Sequence, residues 1–480
     1  MSTVRVAVVG GGITGLAAAL ELEALAAEAG APLAITLFES DGRLGGKVQT
    51  DTPGDLIIEQ GPDSMVRQKP WGVDLARRLG LESLLVETAP QGRRVYMAEG
   101  ERLWSLPPGW VLGVPTTPLS LWQAPLLSWP GKVRAAREPL VPPATDQGDE
   151  SLGDFLARRL GAETARKIAG PILASIAAGH AGDLSLQATF PQLARLEREH
   201  GSLVEGLRRQ RARAGTGGQA GPSPSPFVTL SRGLAAMPAA AARSLRATRL
   251  LLNTPVTAVA PTAGGWRLTS GGSTDTFAGV VMAVPGFAAA RLLEGLPEVA
   301  DPLAAIPYAD TAVVALAFRR SGVSHPLDGS GFLVPETEER TITGCTWLSS
   351  KWPHTTPQGT VLVRSFVGRM GTREALALPD EELVEAVLAD LKVFLGITEE
   401  PVLSRVYRWP RGMPQYVVGH LERVQAVRDA AAGLPGLEPA GAALEGVGIP
   451  DCIRQGQEAA RRLAAHLWPQ RKQPQPEQRM

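Results

Sequence analysis

Three glycines, at positions 10, 12 and 15, stand between an apolar run, VRVAVV at 4–9, and a stretch rich in Ala, Leu and Glu. That spacing suits a turn that cradles phosphates. Gly10 makes the tight turn, Gly12 lets the backbone approach a pyrophosphate, and Gly15 lets the next helix pack close to a sheet. The helix N-terminus adds free N–H groups and a positive dipole end. Glu39 follows a second apolar run, LAITLF at 33–38, where it is placed to bind ribose hydroxyls. Strand, triplet, helix, strand and acid arrive in order, which an ordinary glycine turn does not require.

The next residues separate NAD from FAD. ESDGRLGGK at 39–47 adds Gly45 and Gly46 between Arg43 and Lys47. A plain NAD domain has no need of them. A backbone loop with flanking cations suits the second face of a pyrophosphate or the flavin end of FAD; the alternative for Arg43 and Lys47 is a solvated pair. EQGPDS at 59–64 forms a further turn towards the flavin side. Near the other end, GAALEGVGIPDCI at 441–453 leads into a helix expected over 454–468. Gly446 and Gly448 permit close backbone approach, and Pro450 suits a first helical turn. Such an N-terminus could face the flavin N1/O2 region; a capped surface helix explains the segment equally well.

Around these motifs, 4–9, 13–29 and 33–38 read as a βαβ unit. Residues 71–86 read as a helix, 151–210 as helical, 227–293 as strands with a helix, 310–318 and 360–367 as strands, and 380–395 as a helix. Residues 103–132 hold four of the ten tryptophans and many prolines, which excludes a long helix. They read either as a lid over an apolar pocket or as an interfacial patch in transient contact with a membrane. AGTGGQAGPSPSP at 214–226 reads as a linker, and the polar end, 471–480, as a frayed tail.

The 480 residues, 44% hydrophobic and 20% charged, imply two or three folded domains. Lys+Arg and Asp+Glu balance at 48 each, which argues against nucleic acid as a partner. Cys345 and Cys452 form no CxxC, and six scattered histidines form no metal motif. With no signal-like start and no long apolar stretch, a cytoplasmic location without a transmembrane segment is expected.

With these motifs in hand, the chain resembles the flavin amine oxidase-like superfamily, and more closely the porphyrinogen oxidases of haem biosynthesis. The resemblance covers nearly the whole chain. It rests on GGGITGL at 10–16, RLGGK at 43–47, EQGPDS at 59–64, AGDLSLQATFPQL at 181–193, SRGLAAMP at 231–238, NTPVTAV at 253–259, RWPRGMPQYVVGH at 408–420 and EGVGIPDCI at 445–453. It implies FAD contacts at Gly10, Gly11, Gly12, Ile13, Thr14 and Gly15, at Glu39 and Ser40, at Lys47, and at Gly61, Pro62, Asp63 and Ser64. Further contacts fall on Val256, Trp409, Val447, Gly448 and Ile449. His180 stands where such proteins often carry an aromatic residue, and Arg232 breaks a frequent glycine pair.

The implied activity is FAD- and oxygen-dependent oxidation of coproporphyrinogen III to coproporphyrin III, with hydrogen peroxide released and downstream haem-pathway enzymes as partners. The alternatives are a protoporphyrinogen IX oxidase, another enzyme of the superfamily, and a non-catalytic carrier of the same fold. A flat ring with carboxylate arms needs apolar walls and a cationic rim. Arg67 and Lys69 are the expected rim, with a solvated pair as the alternative, and His180 joins the substrate candidates. No catalytic base stands out, so the flavin is expected to carry the chemistry. The expected architecture is α/β: a discontinuous Rossmann-like FAD domain (1–94, 227–295 and 405–470), a helical subdomain (95–213), and a substrate-binding sheet domain (296–404).

Overall fold

The computed structural model describes residues 3–144, 148–215 and 225–469. Most of the 214–226 linker and the whole 471–480 tail lie outside them.

The Val4–Val9 run is buried from Val6 onward and forms the centre of a five-stranded parallel sheet. The strand order is Thr248–Leu251, Leu33–Phe38, Val4–Val9, Gly279–Met282, Leu437–Pro439. Parallel strands need cover on both faces, which explains their nearly unbroken apolar runs. On one face lie the helices Ile13–Glu28 and Ile449–Leu467. They cross so closely that a Cβ on Gly456 would sit 2.2 Å from the Thr14 carbonyl oxygen. A second apolar layer includes Trp266, Phe277 and Leu292 and packs against the other face. Leu251, Phe38, Val9, Met282 and Pro439 are partners across the sheet, so all five strands end at one level. Their connections emerge along one edge, where ligands of such sheets bind.

A second, seven-stranded sheet runs Leu403–Pro414, Tyr308–Arg319, Thr360–Val367, Ile342–Trp347, Gly331–Leu333, Val95–Glu99, Arg102–Ser105. It differs from the expected 296–404 unit at both edges. Residues 95–105, placed in the helical subdomain, extend the sheet through a parallel pairing with Gly331–Leu333. Residues 403–414, placed mostly in the flavin domain, pair antiparallel with Tyr308–Arg319. Helix Asp380–Leu395 covers one face through Leu383, Val387, Leu391 and Phe394. Three acidic residues open its first turn and Gly396, at φ +58°, ends it.

The helical excursion packs around Phe155, Leu156, Leu173 and Leu193. At its centre Arg159, fully buried, donates to Glu138 (Nε–Oε1 2.8 Å), Glu197 (3.2 Å) and the Gly201 carbonyl (2.8 Å). The Trp-rich segment divides. Trp104 and Trp110 pack against the buried cluster of Met97 and Ile168. Trp122 and Trp129 lie together on the surface, ring centroids 5.6 Å apart, with Trp129 72% exposed. Among the described residues, no helix is long and apolar enough to cross a membrane.

Two helix boundaries differ from expectation. The 71–86 segment is a helix only over Trp71–Arg78, because Gly80 takes φ +73° and Leu85–Glu87 joins a small sheet. The last long helix begins at Ile449 rather than 454, because Gly448 stands at its N-cap and Pro450 fits its first turn.

Candidate active site

The glycine turn lies directly beyond Val9. Gly10 adopts φ +107°, and a Cβ there would lie 2.5 Å from the Ala283 carbonyl oxygen. A Cβ on Gly15 would lie 2.0 Å from the Gly10 carbonyl oxygen. Gly12 is different: a Cβ there would meet no protein atom within 4 Å. Gly12 is the N-cap of Ile13–Glu28 and leaves the first amides without a side-chain cap. Glu39 accepts hydrogen bonds from Gly11 N (2.7 Å) and Asp41 N (2.9 Å), tying the acid to the turn. The second glycine loop lies against the first, with Gly45 N donating to Gly11 O at 2.9 Å. Arg43 donates to the Gly46 carbonyl at 3.0 Å, closing its own loop.

These turns line a cavity of about 840 Å³. Every expected FAD contact borders it except Gly11 and Gly15. Those two act from within the turn, one by holding Glu39 and one by helix packing. Val447, Gly448 and Ile449 bring the N-terminus of the last long helix to the same space. Trp409 donates from Nε1 to the Gln60 carbonyl at 2.8 Å, and Lys47 donates to the Gly412 carbonyl. Burial holds the Lys47 ammonium below its usual range. Away from the glycine turns the wall is apolar, with Ile176, Leu333, Phe366, Val367 and Met413.

The sequence reading missed a buried charge group on this wall. Arg364, 1% exposed, donates from Nη2 to the Gly61 carbonyl at 2.5 Å, and its Nη1 lies 3.8 Å from Asp63. Its Nε is buried without a partner. Lys351 holds Asp63 at 2.8 Å. Burial opposes the Asp63 charge, but Lys351 and Arg364 outweigh it and hold the carboxyl well below its usual range. Glu59, buried behind the same turn, is pushed up to about 7 by desolvation. The available signal was a lone cation within the apolar strand TVLVRSFV at 360–367. Tyr308 and Cys452 also border the cavity, and burial raises them to about 12 and about 11. Among the described residues, no group of three or more His, Cys, Asp or Glu is placed to hold a metal.

The expected cationic rim is corrected. Arg67 pairs with Glu87 at 2.6 Å and Lys69 with Asp451 at 2.6 Å, and neither borders the cavity. After Ser64 the chain turns away: Met65 enters the core and Val66 pairs with Phe227. His180 is also absent from the wall. Its Nδ1 lies 2.8 Å from Glu336 and its Nε2 2.5 Å from the Met370 carbonyl, so it fastens the helical excursion to the second sheet. The lid reading of 103–132 is corrected too, since no residue of that segment lines the cavity.

The chain is similar to known proteins over nearly its whole length. A family model described as flavin containing amine oxidoreductase matches residues 13–464. A coproporphyrinogen III oxidase of Bacillus subtilis is 38% identical over 467 residues, covering 97% of this chain and 98% of its own. Protoporphyrinogen oxidase 2 of Arabidopsis thaliana is 26% identical, covering 96% of this chain and 94% of its own. A crystal structure from Exiguobacterium sp. 255-15, assigned as a protoporphyrinogen oxidase, superposes with a TM-score of 0.86 at 34% identity, over 97% of this chain and 99% of that one.

Proposed function

The chain belongs to the family of flavin containing amine oxidoreductases, and from that membership we propose that it is an FAD-dependent oxidase converting coproporphyrinogen III to coproporphyrin III in haem biosynthesis. The observation that carries the reading is the near full-length 38% identity to the coproporphyrinogen III oxidase of Bacillus subtilis. The acceptor is oxygen: six electrons and six protons leave the porphyrinogen, three oxygen molecules take them up, and three hydrogen peroxides result. The work belongs in the cytosol, alongside the other enzymes of the pathway.

The cavity supports FAD on its own terms. The open space above Gly12, the uncapped helix start and the adjoining Gly45–Gly46 loop suit a pyrophosphate. Glu39 stays held at the turn by Gly11 and has room to accept from ribose hydroxyls. Gly61 to Ser64, Trp409 and Val447 to Ile449 would hold the ring system. When bound, the flavin supplies a hydride acceptor that no side chain can replace. The protein supplies position and charge. The helix start at Ile449 and the Arg364 guanidinium place positive potential beside the ring site, favouring negative charge there. The apolar wall excludes water and suits the flat face of a porphyrinogen. Burial keeps Tyr308 and Cys452 protonated at neutral pH, so neither is a general base. The protons lost are the substrate's own pyrrole and meso protons.

The test is oxygen-dependent porphyrin fluorescence from the purified yellow protein, given coproporphyrinogen III and protoporphyrinogen IX separately. Higher kcat/KM for the four-carboxylate substrate is the expected result. Preference for the two-carboxylate substrate would move the enzyme to protoporphyrinogen oxidation, and no fluorescence from either would refute the porphyrinogen reading.

A further inference from the structure

A second cavity, of about 350 Å³, adjoins the first and shares Ser175, Ala178 and Thr343 with its wall. It lies between the helical excursion and the seven-stranded sheet. Several contacts fasten these walls together: Met370 N donates to the Ala178 carbonyl at 2.9 Å, and His180 meets both the Met370 carbonyl and Glu336. Ala178 takes φ +49° to make that contact, a conformation rarely adopted by residues other than glycine.

Among the described residues, only three charged side chains border this space: Arg166, Glu336 and Arg369. The rest of the wall is small or apolar, with Ala, Gly, Pro, Val, Ser and Thr. Arg166 sits on a π-helical turn, Ala165–Ala169, and is exposed. It makes no hydrogen bond or ion pair among the described residues. Short π turns recur at functional sites because they re-aim one side chain. Arg369 is 15% exposed, donates to the Val334 carbonyl at 3.3 Å and lies 3.4 Å from Glu336. Glu336 also faces His180 at 2.8 Å, so one carboxylate is divided between two nitrogenous groups. Two guanidiniums against one shared carboxylate leave the cavity with an unneutralised positive charge.

We propose that this second cavity receives a carboxylate arm of the substrate, held by Arg166 and Arg369, while the ring occupies the main cavity. The proposal rests on the porphyrinogen reading and replaces Arg67 and Lys69 as the cationic rim. A propionate reaching across the shared Ser175–Ala178 wall would find a free guanidinium able to donate two parallel hydrogen bonds. Arg369 is already anchored by Val334 and adds charge from a fixed position. Four such arms on coproporphyrinogen make this substrate the better match.

Arg166→Gln is the test, because Arg166 has no structural partner to lose. The variant should keep the wild-type flavin absorption spectrum and a kcat within about twofold. Its KM for coproporphyrinogen III should rise roughly tenfold, equivalent to about 1.4 kcal/mol. Binding of oxidised coproporphyrin III to the holoenzyme, followed by porphyrin fluorescence, should weaken by a similar factor. Binding of the uncharged tetramethyl ester should change less than about twofold. An unchanged KM for R166Q in an enzyme that turns over coproporphyrinogen overturns this proposal alone, as does equal weakening of acid and ester. Absence of turnover by the wild-type protein overturns the porphyrinogen reading and this proposal with it.

Discussion

Replacing Gly12 with alanine should leave the apoprotein's stability unchanged while weakening its hold on flavin. Gly12 has φ −69° and ψ 178°, a conformation any residue adopts. Its new methyl would touch no protein atom. Two small terms act on stability. Alanine narrows the unfolded ensemble and stabilises by about 0.4–1 kcal/mol, whereas at an N-cap it costs roughly 0.5–1 kcal/mol. These nearly cancel. The methyl would instead enter the space assigned to the pyrophosphate, where overpacking costs about 1–3 kcal/mol. At 1.4 kcal/mol per factor of ten, flavin binding should weaken about 5- to 150-fold. Gly15→Ala is the contrasting control. Its Cβ would lie 2.0 Å from the Gly10 carbonyl oxygen, so the backbone must shift and the apoprotein itself should lose about 1–3 kcal/mol. Flavin titration by fluorescence quenching and urea unfolding of the two flavin-stripped variants make the comparison. Wild-type flavin affinity in G12A would refute the phosphate assignment. Loss of apoprotein stability in G12A equal to that in G15A would make Gly12 a structural glycine.

The other predictions concern charge. Glu59, raised to about 7 in the fold, binds its proton more tightly there than in the unfolded chain. Its favourable contribution is complete below the unfolded carboxyl range and is lost as pH rises to 7, at most about 3 kcal/mol. The urea midpoint of the wild type should therefore fall more than that of Glu59→Gln between pH 5 and 7.5; parallel curves would discard the assignment. Arg159→Leu removes the cation from a site where Glu138 is also fully buried, and should cost about 3–5 kcal/mol in urea unfolding. A cost below about 1 kcal/mol would refute a structural role for this buried ion pair. Arg67→Ala and Lys69→Ala should each leave KM for porphyrinogen within about twofold, since each is paired with a carboxylate and neither borders the cavity; a tenfold rise in KM would return them to the substrate rim.

The glycine-lined half of the cavity was legible because its signals are local. The glycine turn, Glu39 and the Gly45–Gly46 loop lie within forty residues of sequence, and their geometry grows out of one βαβ unit. Helix Asp380–Leu395 was equally plain, with acid at its start and glycine after its end. The seven-stranded sheet was not legible as a unit. Its strand Val95–Glu99 pairs with residues more than two hundred positions away, and no local pattern encodes that partner. Charge was misread for a related reason. Arg67 and Lys69 come just after the Gly-Pro turn in sequence, yet the core position of Met65 swings them outward. Arg166 and Arg369, distant in the chain, border one cavity only because the helical excursion folds back over the sheet.

The parallel sheet beneath the flavin site has a consequence for synthesis. Its central strand leaves the ribosome first, but its neighbours begin at residues 33 and 279, and one edge is closed by Leu437–Pro439. At about 5–20 residues per second, the opening strand waits roughly 20–90 s for the last. During that interval the Val6–Val9 apolar surface has no complete cover. The helix whose first turn borders the cavity, Ile449–Leu467, comes later still. Flavin capture is therefore a late event in the life of the chain, and a nascent protein truncated before residue 437 carries a phosphate turn with no finished sheet to hold it.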